Sequence, residues 1–228
     1  MLRGILGLIL LVSVGCAATP HDASDVIFIV PGVSGDVGGM KIGLSQGPRS
    51  VEAVSWGMPP VLFFMNFSTK SIHDNAEKKL AQMILQWRQT HPSAQIDLVG
   101  HSAGCGVILG ALPRIGENRV GDVVLLAPSV SPTYDLHPAL EKIAGQVDVF
   151  YSEHDTTFLK WRDSHFGTYD RIKIAAAGYS GFVGNYPSEK LVQRPYQDRW
   201  RDLGNDGGHF GPLAERFVHD VVAPLLAK

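Results

Sequence analysis

Apolar residues recur along the chain in two rhythms. Residues 25–30 (DVIFIV) hold an almost unbroken apolar, β-prone run, as expected of a strand buried on both faces of a parallel sheet. Residues 50–56 (SVEAVSW), 96–99 (IDLV), 120–127 (VGDVVLLA), 146–152 (QVDVFYS) and 171–177 (RIKIAAA) read as further strands, the last of these closing the sheet. Residues 71–90 follow a helical rhythm instead. Ala76, Leu80, Met83, Ile84 and Trp87 share one face at 3.6-residue spacing, Ser71 and Asp74 are candidate caps, and His91-Pro92 ends the run. Residues 105–112 predict a second helix, closed by Pro113, and Leu213, Phe217, Val221 and Leu225 mark a final amphipathic one. Residues 58–67 (MPPVLFFMNF) fit neither rhythm. Pro59 and Pro60 oppose an immediate strand or helix, yet the stretch is very apolar for a loop. It packs into the core, or it forms an acyl-binding wall with Met58, Phe63 and Phe64.

The bulk numbers add bounds. At 228 residues, 45% hydrophobic and 18% charged, the chain suits one globular domain over residues 25–228. A net charge of −2 gives no electrostatic case for nucleic acid or for an anionic membrane as partner. Histidines are scattered, without a metal-ligating spacing, so no metal or cofactor is expected.

The N-terminus stands apart. Arg3 is a minimal positive start, residues 4–14 are an apolar run too short to span a bilayer comfortably, and Gly15-Cys16-Ala17-Ala18 follows. Residues 1–18 resemble a bacterial lipoprotein signal with Cys16 as the lipidated residue, although Ser13 stands where such signals usually carry Leu. Cleavage after Ala17 or Ala18 is the competing reading, and an uncleaved hydrophobic tail a third. Residues 19–24 read as a tether. The expected location is outside the cytoplasm, at a bacterial cell envelope. Cys105 is the only other cysteine, and a buried structural thiol suits its place just inside a helix.

Chemistry concentrates in residues 96–110 (IDLVGHSAGCGVILG). A short strand runs through Gly100-His101-Ser102-Ala103-Gly104 straight into a helix. This is the context of a G-x-S-x-G nucleophile elbow, where the two glycines relieve backbone crowding and the serine hydroxyl stands at a helix N-terminus. The stretch resembles the α/β-hydrolase superfamily. That resemblance implies a three-layer α/β/α sandwich with a mostly parallel sheet, here minimal and without a lid domain. It also implies an oxyanion turn upstream and an acid and a histidine downstream.

Candidates for each role lie in the required order. Pro31-Gly32-Val33-Ser34-Gly35 resembles the family's His-Gly-x-x-Gly turn with Pro in the His position, so the Val33 and Ala103 backbone N–H groups would form the oxyanion hole. A plain Gly/Pro turn is the alternative. Ser152-Glu153-His154-Asp155 ends a strand where the family shows Gly-x-x-Asp, which implies Asp155 as the acid. Glu153 and Asp206 are alternatives, and Asp155 could simply cap the following helix. His209, in a Gly-rich loop before the last helix, matches the family's base, while His101 is expected to point away from Ser102. Ser129, in the Pro-rich turn after residues 120–127, falls near the proposed pocket. The implied function is a serine hydrolase cleaving a carboxylic ester, thioester or amide of a small molecule or lipid through an acyl-enzyme on Ser102. A non-catalytic binding protein of the same fold, or an acyltransferase or haloperoxidase using the same residues, is the alternative.

Overall fold

The computed structural model describes residues 24–57 and 69–226. The expectations for residues 1–23, including Cys16, and for Met58, Phe63 and Phe64 lie outside the described residues.

Six strands form one parallel sheet: β1 (Val26–Val30), β2 (Ser50–Ala53), β3 (Ile96–His101), β4 (Val123–Leu126), β5 (Val147–Tyr151) and β6 (Leu191–Pro195), in the order β2-β1-β3-β4-β5-β6. The alternation of side chains explains why the inner strands are apolar throughout. In β1, Val26, Phe28 and Val30 face one core while Ile27 and Ile29 face a second. In β4, Val123 and Leu125 separate from Val124 and Leu126 in the same way. The first core packs under α2 (Lys70–Thr90) and α3 (Ala103–Ala111), through Leu80 and Ile84 from one and Val107 and Ile108 from the other. The second packs under α1 (Gly38–Leu44) and the C-terminal turns, through Met40, Leu44, Phe217, Val218 and Val222. The result is a three-layer α/β/α sandwich.

Three sequence expectations are corrected. Residues 171–177 do not enter the sheet: Ile172 and Ile174 are exposed, and the chain turns back through hydrogen bonds between Thr168 and both Arg171 and Ile172. The edge is taken by β6, where Pro195 is tolerated because no strand lies beyond it. The C-terminal helix is not regular. Residues 211–225 pass through 3₁₀, α and π turns, with Pro212 and Pro224 inside them. Phe217, Val218, Val222 and Leu226 are therefore fully buried, rather than the regular series ending at Val221 and Leu225. At the start of α2, neither Ser71 nor Asp74 caps. Thr69 holds the N-cap position without a side-chain bond, and Asp74 pairs with Lys78 and Arg114.

The amino edge of the sheet carries a feature that periodicity does not show. Buried Asp25, Asp97 and Asp122 accept the backbone N–H groups of Gln95, Asp122 and Gln146 at 2.7, 2.8 and 2.9 Å. Each carboxylate thus closes the entry to the neighbouring strand, where a backbone donor would otherwise be orphaned. Asp97 also pairs with Arg49 at 2.6 Å, and Arg49 donates to the Leu226 carbonyl at 2.8 Å. The polar chemistry at the opposite, carboxyl edge is of another kind.

Candidate active site

Ser102 sits at the turn from β3 into α3 with φ 54° and ψ −124°, a strained backbone for a residue with a side chain. Surrounding contacts hold it there. Its N–H donates to the Leu126 carbonyl at 3.0 Å, and its carbonyl accepts from Cys105 and Ser129 at 3.1 and 3.2 Å. Gly104 makes the turn possible: a Cβ there would lie 2.2 Å from the Val30 carbonyl oxygen and 2.4 Å from that of Pro31. Gly32 is tight but less crowded, since its Cβ would come within 3.1 Å of the Ser102 Cβ. The two glycines let residues 31–33 lie directly against the serine. Neither the Val33 nor the Ala103 N–H donates to an acceptor among the described residues.

His209 reaches Ser102 from the loop before the C-terminal turns. That loop depends on Gly207 at φ 83°, with the Gly207 N–H accepted by the buried Asn205 side chain at 3.0 Å. The His209 Nε2 lies 3.0 Å from the Ser102 Oγ, and its Nδ1 lies 2.6 Å from an Asp155 carboxylate oxygen. A carboxylate is an acceptor, so the ring proton is assigned to Nδ1 and the Nε2 lone pair faces the serine hydroxyl. Asp155 is buried, and its other oxygen accepts the Phe158 and Leu159 N–H groups at 3.1 and 3.3 Å. The capping geometry and the contact with His209 are therefore present together, one on each carboxylate oxygen. Glu153 and Asp206 are exposed, and Asp206 turns back onto the Gly208 N–H.

The remaining expected residues are placed as follows. Ser129 is fully buried. Its hydroxyl donates to Asp163 at 2.8 Å, and its N–H is committed to the Ser102 carbonyl, so it supports the elbow from behind and does not line an open pocket. Burial pushes the Asp163 carboxyl up to about 6, against the pull of the adjacent Arg162. Cys105 is buried, its thiol points at the Leu126 carbonyl, and burial raises its pKa, which removes it as a nucleophile.

Three further residues hold His209, and the sequence reading gave none of them that role. His101 does turn its ring away from the Ser102 hydroxyl, but toward a partner: its Nε2–H donates to the His209 carbonyl at 2.9 Å. Burial pushes its pKa down to about 3, so the ring is neutral. Phe158 stacks on the His209 ring at 4.7 Å and 21°, and Phe210 meets that ring edge-on at 5.1 Å. The pattern Gly-His-Ser signals the first residue. Nothing local signals Phe158, which is delivered by the turn that Asp155 caps.

No protein-family model matches the chain, and no curated protein matches it. Solved structures do. Aspergillus fumigatus lipase B aligns with a TM-score of 0.52 and 13% identity, covering 90% of this chain and 52% of its own. The type II thioesterase BorB of the borrelidin biosynthetic cluster aligns at 0.49 and 13%, over 91% and 94%. Carboxylesterase CesB from Bacillus subtilis aligns at 0.47 and 13%, over 92% and 85%. Likeness at such identities concerns the fold, and the fold is that of the α/β-hydrolases.

Proposed function

We propose that the protein is a serine hydrolase that cleaves a carboxylic ester, thioester or amide through an acyl-enzyme on Ser102. The observation that carries this reading is the continuous chain Ser102 Oγ–His209 Nε2 at 3.0 Å and His209 Nδ1–Asp155 at 2.6 Å, set on a strained elbow. A serine hydroxyl becomes a competent nucleophile when a base removes its proton during attack. His209 takes that proton as the Ser102 Oγ bonds to the substrate carbonyl carbon, and Asp155 stabilises the imidazolium that results. The Val33 and Ala103 N–H groups receive the oxyanion. Collapse expels the alcohol, thiol or amine with the proton held on His209. Water then attacks the acyl-enzyme through the same steps and releases the acid.

Within this reading an ester is the substrate class to test first, which the aligned lipase supports. The N-terminal resemblance to a lipoprotein signal supports action outside the cytoplasm. Fluorophosphonate labelling tests the nucleophile. Wild-type protein should label covalently, Ser102→Ala should not, and His209→Ala should label at least roughly 10²-fold more slowly. Asp155→Asn should cripple p-nitrophenyl acetate turnover while Glu153→Gln leaves it intact. Labelling that persists in Ser102→Ala, or an inert wild type beside a reactive control hydrolase, would overturn the proposal.

A further inference from the structure

The chain that follows Asp155 builds a surface outside the site. The turn Thr156–Arg162 and the loop after it leave Trp161, Phe166, Ile172 and Ile174 exposed by 56, 68, 46 and 40%. They lie on one stretch of chain that folds back on itself at Gly167–Ile172. The Trp161 and Phe166 rings meet edge-on with centroids 6.2 Å apart. The loop then doubles back, with the Ile172 carbonyl accepting the Thr168 N–H at 3.0 Å and its hydroxyl at 3.1 Å. The Ala176 N–H finally donates to the Leu159 carbonyl at 2.8 Å, which returns the strip to the turn that bears Trp161.

Within residues 156–175 the exposed charges are basic, while exposed Glu153 lies just before the turn and acts on Lys160. Lys160, Arg171 and Lys173 are exposed within that range. No carboxylate from residues 156 to 175 is exposed: Asp163 is buried against Ser129 and Arg162, and Asp170 is half-buried on Ser131 and Thr168. This is a local reversal in a chain of net charge −2. Whole-chain charge, which argues against an anionic membrane, therefore misdescribes this face.

We infer that this patch docks the protein on an anionic lipid bilayer. Trp161, Phe166, Ile172 and Ile174 enter the boundary between headgroups and acyl chains, and Lys160, Arg171 and Lys173 meet the lipid phosphates. Charge complementarity selects this occupant. Aromatic and aliphatic tips beside exposed Arg171 and Lys173 match a layer that is apolar beneath and anionic above, with Glu153 confined to the Lys160 side of the patch. No helix among the described residues is long and apolar enough to cross a membrane. The patch also shares an edge with the site: Asp155 caps the turn that carries Trp161, and Phe158 of that turn stacks on His209.

Vesicles test this with the full chain. Bromine-labelled acyl chains in bilayers of roughly one-third phosphatidylglycerol in phosphatidylcholine should quench tryptophan emission, and Trp161→Phe should lose most of that quenching. Arg171→Glu/Lys173→Glu should weaken binding to these vesicles about tenfold or more, while leaving binding to pure phosphatidylcholine little changed. Trp161→Ala/Phe166→Ala should weaken binding to both, with an unaltered far-UV spectrum and unchanged turnover of a water-soluble ester. Quenching that is the same in wild type and Trp161→Phe overturns the inference. So does charge reversal without effect, or a wild-type dimer that Trp161→Ala/Phe166→Ala converts to monomer. Because binding is read without catalysis, a protein inactive on every ester would sink the hydrolase proposal and leave this one standing.

Discussion

His101, next to Ser102 in sequence, acts on the candidate site through the backbone of another residue. Its neutral ring donates to the backbone of His209, the residue whose imidazole must stay 3.0 Å from Ser102. Removing that donor frees the loop that carries His209. His101→Leu should lower kcat roughly 10- to 100-fold with little change in KM, since displacement of about 1 Å is enough to cost that much. His101→Gln, which can still donate, should recover most of the loss. Stability against pH gives a second readout. The folded-state pKa near 3 lies below the unfolded value, so between about 6.5 and 3 the unfolded chain binds a proton that the native protein refuses. Stability from this group is full above about pH 6.5 and falls as the solution is acidified, by on the order of 1 kcal/mol per pH unit. Urea titrations across that range should show a shallower decline in His101→Gln than in wild type. Ser102, Asp155 and His209 were legible because each sits in a short local pattern. The partner of His101 was not, since the bond spans 108 positions.

At the scale of elements, the elbow is where local sequence and tertiary contact agree most closely. Gly104 opens α3, yet the space it leaves is filled by the carbonyls of Val30 and Pro31 from the neighbouring turn. Gly104→Ala should therefore destabilise the fold by about 1–3 kcal/mol in urea melts and push the Val33 turn off Ser102. Fluorophosphonate labelling should slow well beyond what the lost stability explains. If Gly104→Ala instead matches wild type in both measurements, the close approach of these two turns is not required. The misplaced last strand teaches the opposite lesson. Residues 171–177 and 191–195 are both short and alternating, and β-propensity does not separate them. Their fates were decided by what each meets: Val147 to Tyr151 offer one free edge, and Leu191 to Pro195 take it. Ile172 and Ile174 are left in solvent on a loop tied to Thr168.

For the whole molecule, the two edges of the sheet divide the work. The amino edge holds structural carboxylates, each closing a neighbouring strand, and Arg49 ties Asp97 to the carbonyl of Leu226 near the end of the chain. The carboxyl edge holds Ser102, His209 and Asp155. Asp97→Ala would leave Arg49 buried without its counter-ion and the Asp122 N–H without an acceptor, so a loss of about 3–5 kcal/mol is expected. The double variant Arg49→Met/Asp97→Leu should recover part of it. Asp97 lies at the entry to β3 and Ser102 just past its exit, at the opposite edge of the sheet, so the rate of fluorophosphonate labelling in the folded fraction should be preserved. An Asp97→Ala protein as stable as wild type would show that the ion pair contributes nothing.

The sequence by itself determined the buried strands, the helix over residues 70–90, the elbow, and the order in which serine, acid and histidine arrive. These are features that a window of a few residues encodes through side-chain periodicity and glycine placement. Tertiary structure alone decided which segment closes the sheet, which phase of the C-terminal turns is buried, and what the polar side chains pair with. Asp155 makes the point. Its neighbours in sequence specify a cap, and the chain bears this out at Phe158 and Leu159; only the return of His209, 54 positions later, gives its second oxygen a partner. Patterns report what a residue is shaped to do nearby. Hydrogen bonds between distant residues, and competition for one sheet edge, exist only once the chain has closed on itself.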